Sequence, residues 1–156
     1  MTWHVVCLNE VQPTPWRNGG GTTRELLAWP DSVAWQWRAS VADVVQSGPF
    51  SSFVAVQRWF AVLQGDGVCL TIDGQEHRIT TGSSPLVFDG AAATTCDLLG
   101  GATQDFNLMT QAASTARMLR ISGDYRMTTD TSKIIAAYTH TEKATLQIAN
   151  QVCVLS

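Results

Sequence analysis

Residues 59–79, WFAVLQGDGVCLTIDGQEHRI, carry two short, largely apolar runs and a third, polar one ending in Ile79, separated by two glycine-bearing turns. Residues 59–63 and Val68–Ile72 flank Gly65-Asp66-Gly67, and Asp73-Gly74 stands before Gln75–Ile79. Asp-Gly between such runs signals a tight hairpin, because the favoured two-residue turn needs positive φ at both central positions. A meander of antiparallel strands is expected. Working outward, Val33, Trp35, Trp37, Ala39 and Val41 alternate with Ala34, Gln36, Arg38 and Ser40, the two-residue period of a half-buried strand. Further strands are expected at 3–8, 24–29, 86–88, 105–109, 117–121, 133–139, 145–148 and 152–155. Eighteen threonines and the lack of a sustained 3.6-residue apolar stripe agree with strands over helices. Roughly ten short strands in one domain must close into a barrel or stack as a sandwich, since an open sheet would expose its edges. The expected fold class is all-β.

A chain of 156 residues suits one domain, and 45% apolar with 15% charged residues is a globular composition. Its longest uninterrupted apolar stretches, 59–63 and 134–138, fall far short of the ~20 residues that span a bilayer as a helix. The opening MTWHVVCLNE has no basic region followed by an apolar one, so a cytoplasmic location is expected. Thirteen acids against ten bases argue against a nucleic-acid partner, which would call for basic clusters. Cys7, Cys69, Cys96 and Cys153 form no C-x-x-C pair and read as small core hydrophobes. His4, His77 and His140 show no ligand spacing, so neither a metal nor another cofactor is expected. Gly19-Gly20-Gly21 lacks the Gly-Lys-Ser/Thr of a phosphate loop and reads as a turn between strands.

Four segments mix polar, aromatic and glycine residues in a way that a plain core does not require. Pro15-Trp16-Arg17-Asn18-Gly19-Gly20-Gly21-Thr22-Thr23 puts an aromatic and a guanidinium beside a backbone that a ligand can approach closely. Arg38 and Ser40 share one strand face. Gly48-Pro49-Phe50-Ser51-Ser52-Phe53 leads to Arg58, which shares a face with Phe60 and Val62 if that face turns inward. Asp105, Asn107 and Met109 share a face that would be odd in a dry core.

These segments carry a family resemblance. PWRNGGGTTREL (15–26), WRASVADVVQSGPFSSF (37–53), QRWFAVLQGDGVCL (57–70), PLVFDG (85–90) and DFNLM (105–109) resemble the HutD family, also called Ves. The resemblance implies a cupin-type β-barrel, a compact bicupin of two halves sharing an interface, here one unit over 1–156. It also implies a role in bacterial histidine utilisation, through binding and regulation. Where the family tends to have Phe-Pro-Gly-x-Asp-Arg, this chain has Phe53-Val54-Ala55-Val56-Gln57-Arg58, keeping the arginine and losing the glycine and the acid.

The resulting expectation is a metal-independent pocket for a small carboxylate metabolite, formylglutamate- or urocanate-like, in a protein that can pair as a homodimer. Arg58 and Arg38 are the candidate carboxylate forks and Asn18, Ser40 and Asn107 the neutral partners, with Trp16, Phe53 and Asp105 completing the ligand-binding set. The alternative is a metal-free cupin enzyme that moves a proton with Asp105 or Glu25 while Arg58 polarises the substrate.

Overall fold

The computed structural model describes residues 3–128, 134, 136–140, 143–148 and 151–155. They fall into two compact units, one of Val6–Arg120 and one drawn from Met1–Val5 with Ile121–Ser156. The larger unit holds β1 (Thr14–Pro15), β2 (Gly21–Trp29), β3 (Trp37–Val44), β4 (Gly48–Pro49), β5 (Val56–Gln64), β6 (Val68–Ile72), β7 (Gln75–Ile79), β8 (Leu86–Asp89), β9 (Thr94–Leu98) and β10 (Thr103–Gln111). The smaller holds the antiparallel hairpin of β11 (Ala144–Ile148) and β12 (Gln151–Leu155). One 3-10 turn, Leu8–Glu10, is the only helical element among the described residues. All-β is therefore the observed class.

In the larger unit, one antiparallel sheet runs β1-β2-β3-β10-β5-β8 and the other β4-β9-β6-β7. Ala42, Val44, Phe60 and Val62 of the first pack with Val68, Leu70, Ile79 and Cys96 of the second into one buried cluster. Each such large apolar side chain contributes about 1.5–3 kcal/mol on leaving water.

The β6–β7 hairpin forms as expected: Ile72 pairs with Gln75 across Asp73 (φ 46°) and Gly74 (φ 83°), the backbone signature of a tight turn. The meander does not extend to β5, whose partners are β8 and β10 while β6 pairs with β7 and β9. Gly65 (φ 99°) and Gly67 (φ 100°) carry the chain from one sheet to the other. A Cβ on Gly65 would stand 2.6 Å from the Ala102 carbonyl oxygen, and one on Gly67 would collide with that of Ile79.

Residues 33–36 are not strand. Asp31 Oδ1 accepts the backbone N–H groups of Val33 and Ala34, each at 2.8 Å, so a local turn satisfies donors that a ladder would otherwise take, and β3 starts at Trp37. Those two bonds hold the Asp31 carboxyl below its usual range. No strand forms at 3–8, where Glu10 N–H donates to Cys7 O and Val11 N–H to Leu8 O. Residues 117–121 are likewise irregular, with Arg120 donating sideways to the carbonyls of Ser83 and Val62. The strand expected at 133–139 lies partly outside the described residues; 134 and 136–139 are irregular. β9 was not expected, although buried Thr94 and Cys96 alternate with exposed Thr95 and Asp97. Of the cysteines, Cys96 is core and Cys7 is exposed, a correction for Cys7.

Candidate functional site

The inner face of the six-stranded sheet is a ladder whose rungs follow from register. Arg58 on β5, Met109 on β10 and Arg38 on β3 stand side by side. Phe60, Asn107, Ser40 and Glu25 of β2 form the next rung, and Val62, Asp105, Ala42 and Thr23 the one beyond. The pleat keeps these side chains on one face, and the two register shifts, at Gln104/Asp105 and Glu25/Leu27, fall just beyond these rungs. The rungs floor a cavity of about 690 Å³, walled by Trp16, Pro49, Phe50 and Phe53. Arg58, Phe60 and Val62 thus share the inward face.

The turn before β2 supplies the rim. Asn18 Oδ1 accepts the Gly20 N–H at 2.9 Å, Gly19 takes φ 72°, and Trp16 Nε1 donates to Thr23 Oγ1 at 2.8 Å. A Cβ on Gly21 would meet the Trp16 ring at 3.1 Å and collide with the Asp43 carbonyl, so the glycine is demanded by close packing. Asn18 and Arg17 line the cavity yet are exposed, and Asn18 spends its oxygen on its own turn.

Arg58 is 6% exposed and has no carboxylate partner among the described residues. Its Nη2 donates to Asn107 Oδ1 at 3.2 Å and its Nη1 to Ser51 O at 3.4 Å, while Nε is buried without a partner. The guanidinium lies 5.1 Å from the Phe50 ring centroid, 5.2 Å from Phe88 and 5.7 Å from Phe53. Burial, with a smaller effect of the Arg38 charge, brings its pKa down to about 10.

Arg38 is less free. Its Nε stands 3.4 Å from Glu25 Oε2, close enough for an ion pair but too poorly aligned for a hydrogen bond, and its guanidinium lies 5.9 Å from the Trp35 ring. Ser40 and Asn107 are buried on the floor, and Trp16 and Phe53 are half-buried in the wall. Asp105 is fully buried; its Oδ2 accepts the Thr103 hydroxyl at 3.0 Å and its Oδ1 has no partner. Burial, opposed by that hydroxyl and aided by the Asp43 charge, raises its pKa to about 7.

All eight sequence-derived candidates line this one cavity. Sequence reasoning passed over Phe88, whose ring faces Arg58 from β8, and Thr103, whose hydroxyl serves Asp105. The period-two pattern of β10 does place Thr103 on the Asp105 face. The cavity lining holds Glu25 and Asp105 but no His or Cys, and no group of three potential ligands for a metal ion exists among the described residues. His4 and His140 are exposed and His77 sits on β7.

The family pattern of HutD matches residues 8–154. An uncharacterized 21.2 kDa protein in the hutC 3' region of Pseudomonas putida is 39% identical over 133 residues, covering 82% of this chain and 70% of that one. The solved HutD from Pseudomonas fluorescens SBW25 is 36% identical with a TM-score of 0.64, over 68% of this chain and 59% of that chain. This chain therefore spans less than two thirds of that solved relative. The cupin domain of Schizosaccharomyces pombe Cnp3, at 13% identity and a TM-score of 0.54 over 67% of this chain, shares the fold alone. The architecture is cupin-like, and the chain belongs to the HutD family.

Proposed function

We propose that this protein binds a small carboxylate metabolite without a metal and acts in the cytoplasm as a regulatory factor in histidine utilisation. The observation that carries the reading is Arg58, a buried guanidinium with no acid beside it among the described residues, open to a cavity. A buried cation needs an anionic partner, and a carboxylate held by the planar fork supplies one. The pathway rests on family membership and on the hutC-region and HutD names of its relatives. A bicupin organisation of the whole chain belongs to the same reading. Its support is that two hairpins, β6–β7 and β11–β12, each pair residues three apart, Ile72 with Gln75 and Ile148 with Gln151.

The test is a thermal-shift screen with histidine, urocanate, formiminoglutamate, formylglutamate, glutamate and formate, followed by calorimetry on hits, since selective ligands raise the melting temperature by mass action. Arg58→Ala should weaken carboxylate binding by about 1.5–3 kcal/mol, and Arg58→Lys should recover only part of it because an ammonium lacks the fork. Unchanged affinity in folded Arg58→Ala removes the residue from the site. One observation favours the second reading, a proton-transferring enzyme: Asp105, with its pKa near 7, lines the same cavity. Turnover of any panel compound, abolished by Asp105→Asn, would establish it.

A further inference from the structure

The floor of the cavity carries charges of both signs, and they divide into partnered and unpartnered. Arg38 is matched by Glu25 at 3.4 Å, and Arg24, on the opposite face of the sheet, is matched by Asp43 at 2.6 Å. Arg58 and Asp105 remain, one with no acid and the other with no base among the described residues. They do not serve each other. They stand two rungs apart, with Asn107 and Phe60 on the rung between, and the Arg58 guanidinium is already turned toward Asn107.

Neither immediate neighbour of Asp105 on its rung can donate to its open oxygen. Val62 and Ala42 flank it with apolar side chains, and the Thr103 hydroxyl is spent on the other oxygen. A carboxyl oxygen so buried, facing a cavity, is satisfied by a donor brought from outside. The same holds for the Arg58 Nε at the other end.

We propose that the cavity takes a two-headed ligand, a carboxylate seated at the Arg58 guanidinium where it reaches Asn107 and, roughly 5–7 Å away, a nitrogen that donates a hydrogen bond to Asp105 Oδ1, the spacing being that of Asn107 and Asp105, two residues apart along β10. The inference rests on the carboxylate reading of Arg58 and adds the chemistry of the ligand's far end. Monocarboxylates fill only one head. Dicarboxylates set an anion against Asp105. Amino-carboxylates of matching length satisfy both, and a burial-raised acid gives up its proton when a cationic nitrogen arrives.

Calorimetry on the full chain with pentanoate, 5-aminopentanoate and glutarate tests this, because the three are of similar length and differ in the far group. The expected order is 5-aminopentanoate about tenfold tighter than pentanoate, the effect of one charge-assisted hydrogen bond, with glutarate weakest. Asp105→Asn should erase the advantage of the amine, while Arg58→Ala should weaken all three. The wild-type comparison stands even if the Asp105 variant fails to fold. Equal binding of pentanoate and 5-aminopentanoate, or tighter binding of glutarate, overturns the two-headed ligand and leaves the carboxylate site intact. No binding by these probes and none by the metabolite panel overturns both.

Discussion

Arg58 is surrounded by three phenyl rings and two long hydrogen bonds, which offset part of the hydration its guanidinium loses and none of its charge. A group held this way burdens the empty fold. Arg58→Met, which keeps the length and drops the charge, should raise the stability of the ligand-free protein by about 1–3 kcal/mol in urea unfolding while weakening carboxylate binding as Arg58→Ala does. A destabilised Met variant would mean that the charge has a partner. Asp105 gives a pH signature. Its pKa rises from the ordinary 3.8 to about 7, so between those values the folded chain keeps a proton that the unfolded chain has released. Its contribution to stability is complete below about pH 4 and is lost as pH climbs through 7, amounting to about 2–4 kcal/mol. Asp43, Glu25, Cys96, Arg38 and Arg58 surround the cavity floor, and of these Asp43 adds to the rise. Unfolding of the wild type and Asp105→Asn at pH 5 and pH 8 should show the variant gaining on the wild type at the higher pH. An equal difference at both would show that Asp105 does not titrate there.

At the scale of elements, the approach to β5 holds a strained residue. Ala55 sits at φ 60°, in the left-handed region that favours glycine. A Cβ there costs backbone energy, and Ala55→Gly should stabilise the fold by about 0.5–1 kcal/mol, less the added freedom of the unfolded chain. Thermal unfolding checks it, and a lowered midpoint would place the unfolded-chain effect above the strain. The loop matters to the site because Gly90 packs against it: its N–H donates to Val56 O, it accepts the Phe53 N–H, and a Cβ on it would lie 2.7 Å from the Phe53 and Val56 carbonyls. Those bonds set where Phe53 meets the guanidinium.

At the scale of the molecule, the boundary between the two compact units falls between Arg120 and Ile121, and residues 119–128 are exposed throughout. Limited trypsin digestion should therefore cut first after Arg126, leaving the β1–β10 unit protected, as mass spectrometry of early fragments will show. Early cleavage after Arg58 or Arg38 would contradict the buried and half-buried positions of those residues.

What could be read from residues alone was local. Asp73-Gly74 needs only its own backbone preference to make the β6–β7 turn, and the alternation in β10 needs only the pleat to put Asp105, Asn107 and Met109 on one face. The family resemblance supplied the cupin fold and the arginine to watch. What the chain's local order could not convey was which strands lie side by side. The Gly65–Gly67 crossing looked like one more hairpin because a turn's sequence is the same whether the strands it joins pair or part. The 33–36 alternation lost to a single carboxylate at Asp31, a competition settled by backbone hydrogen bonds. Above all, the two unmatched charges are 47 positions apart in sequence, Arg58 to Asp105, and stand two rungs apart only because β5 pairs with β10 in that register. Burial and lack of a partner are properties of that pairing and of the sheet packed across it. Sequence determined which residues carry charge, and tertiary structure decided which were left without an answering one.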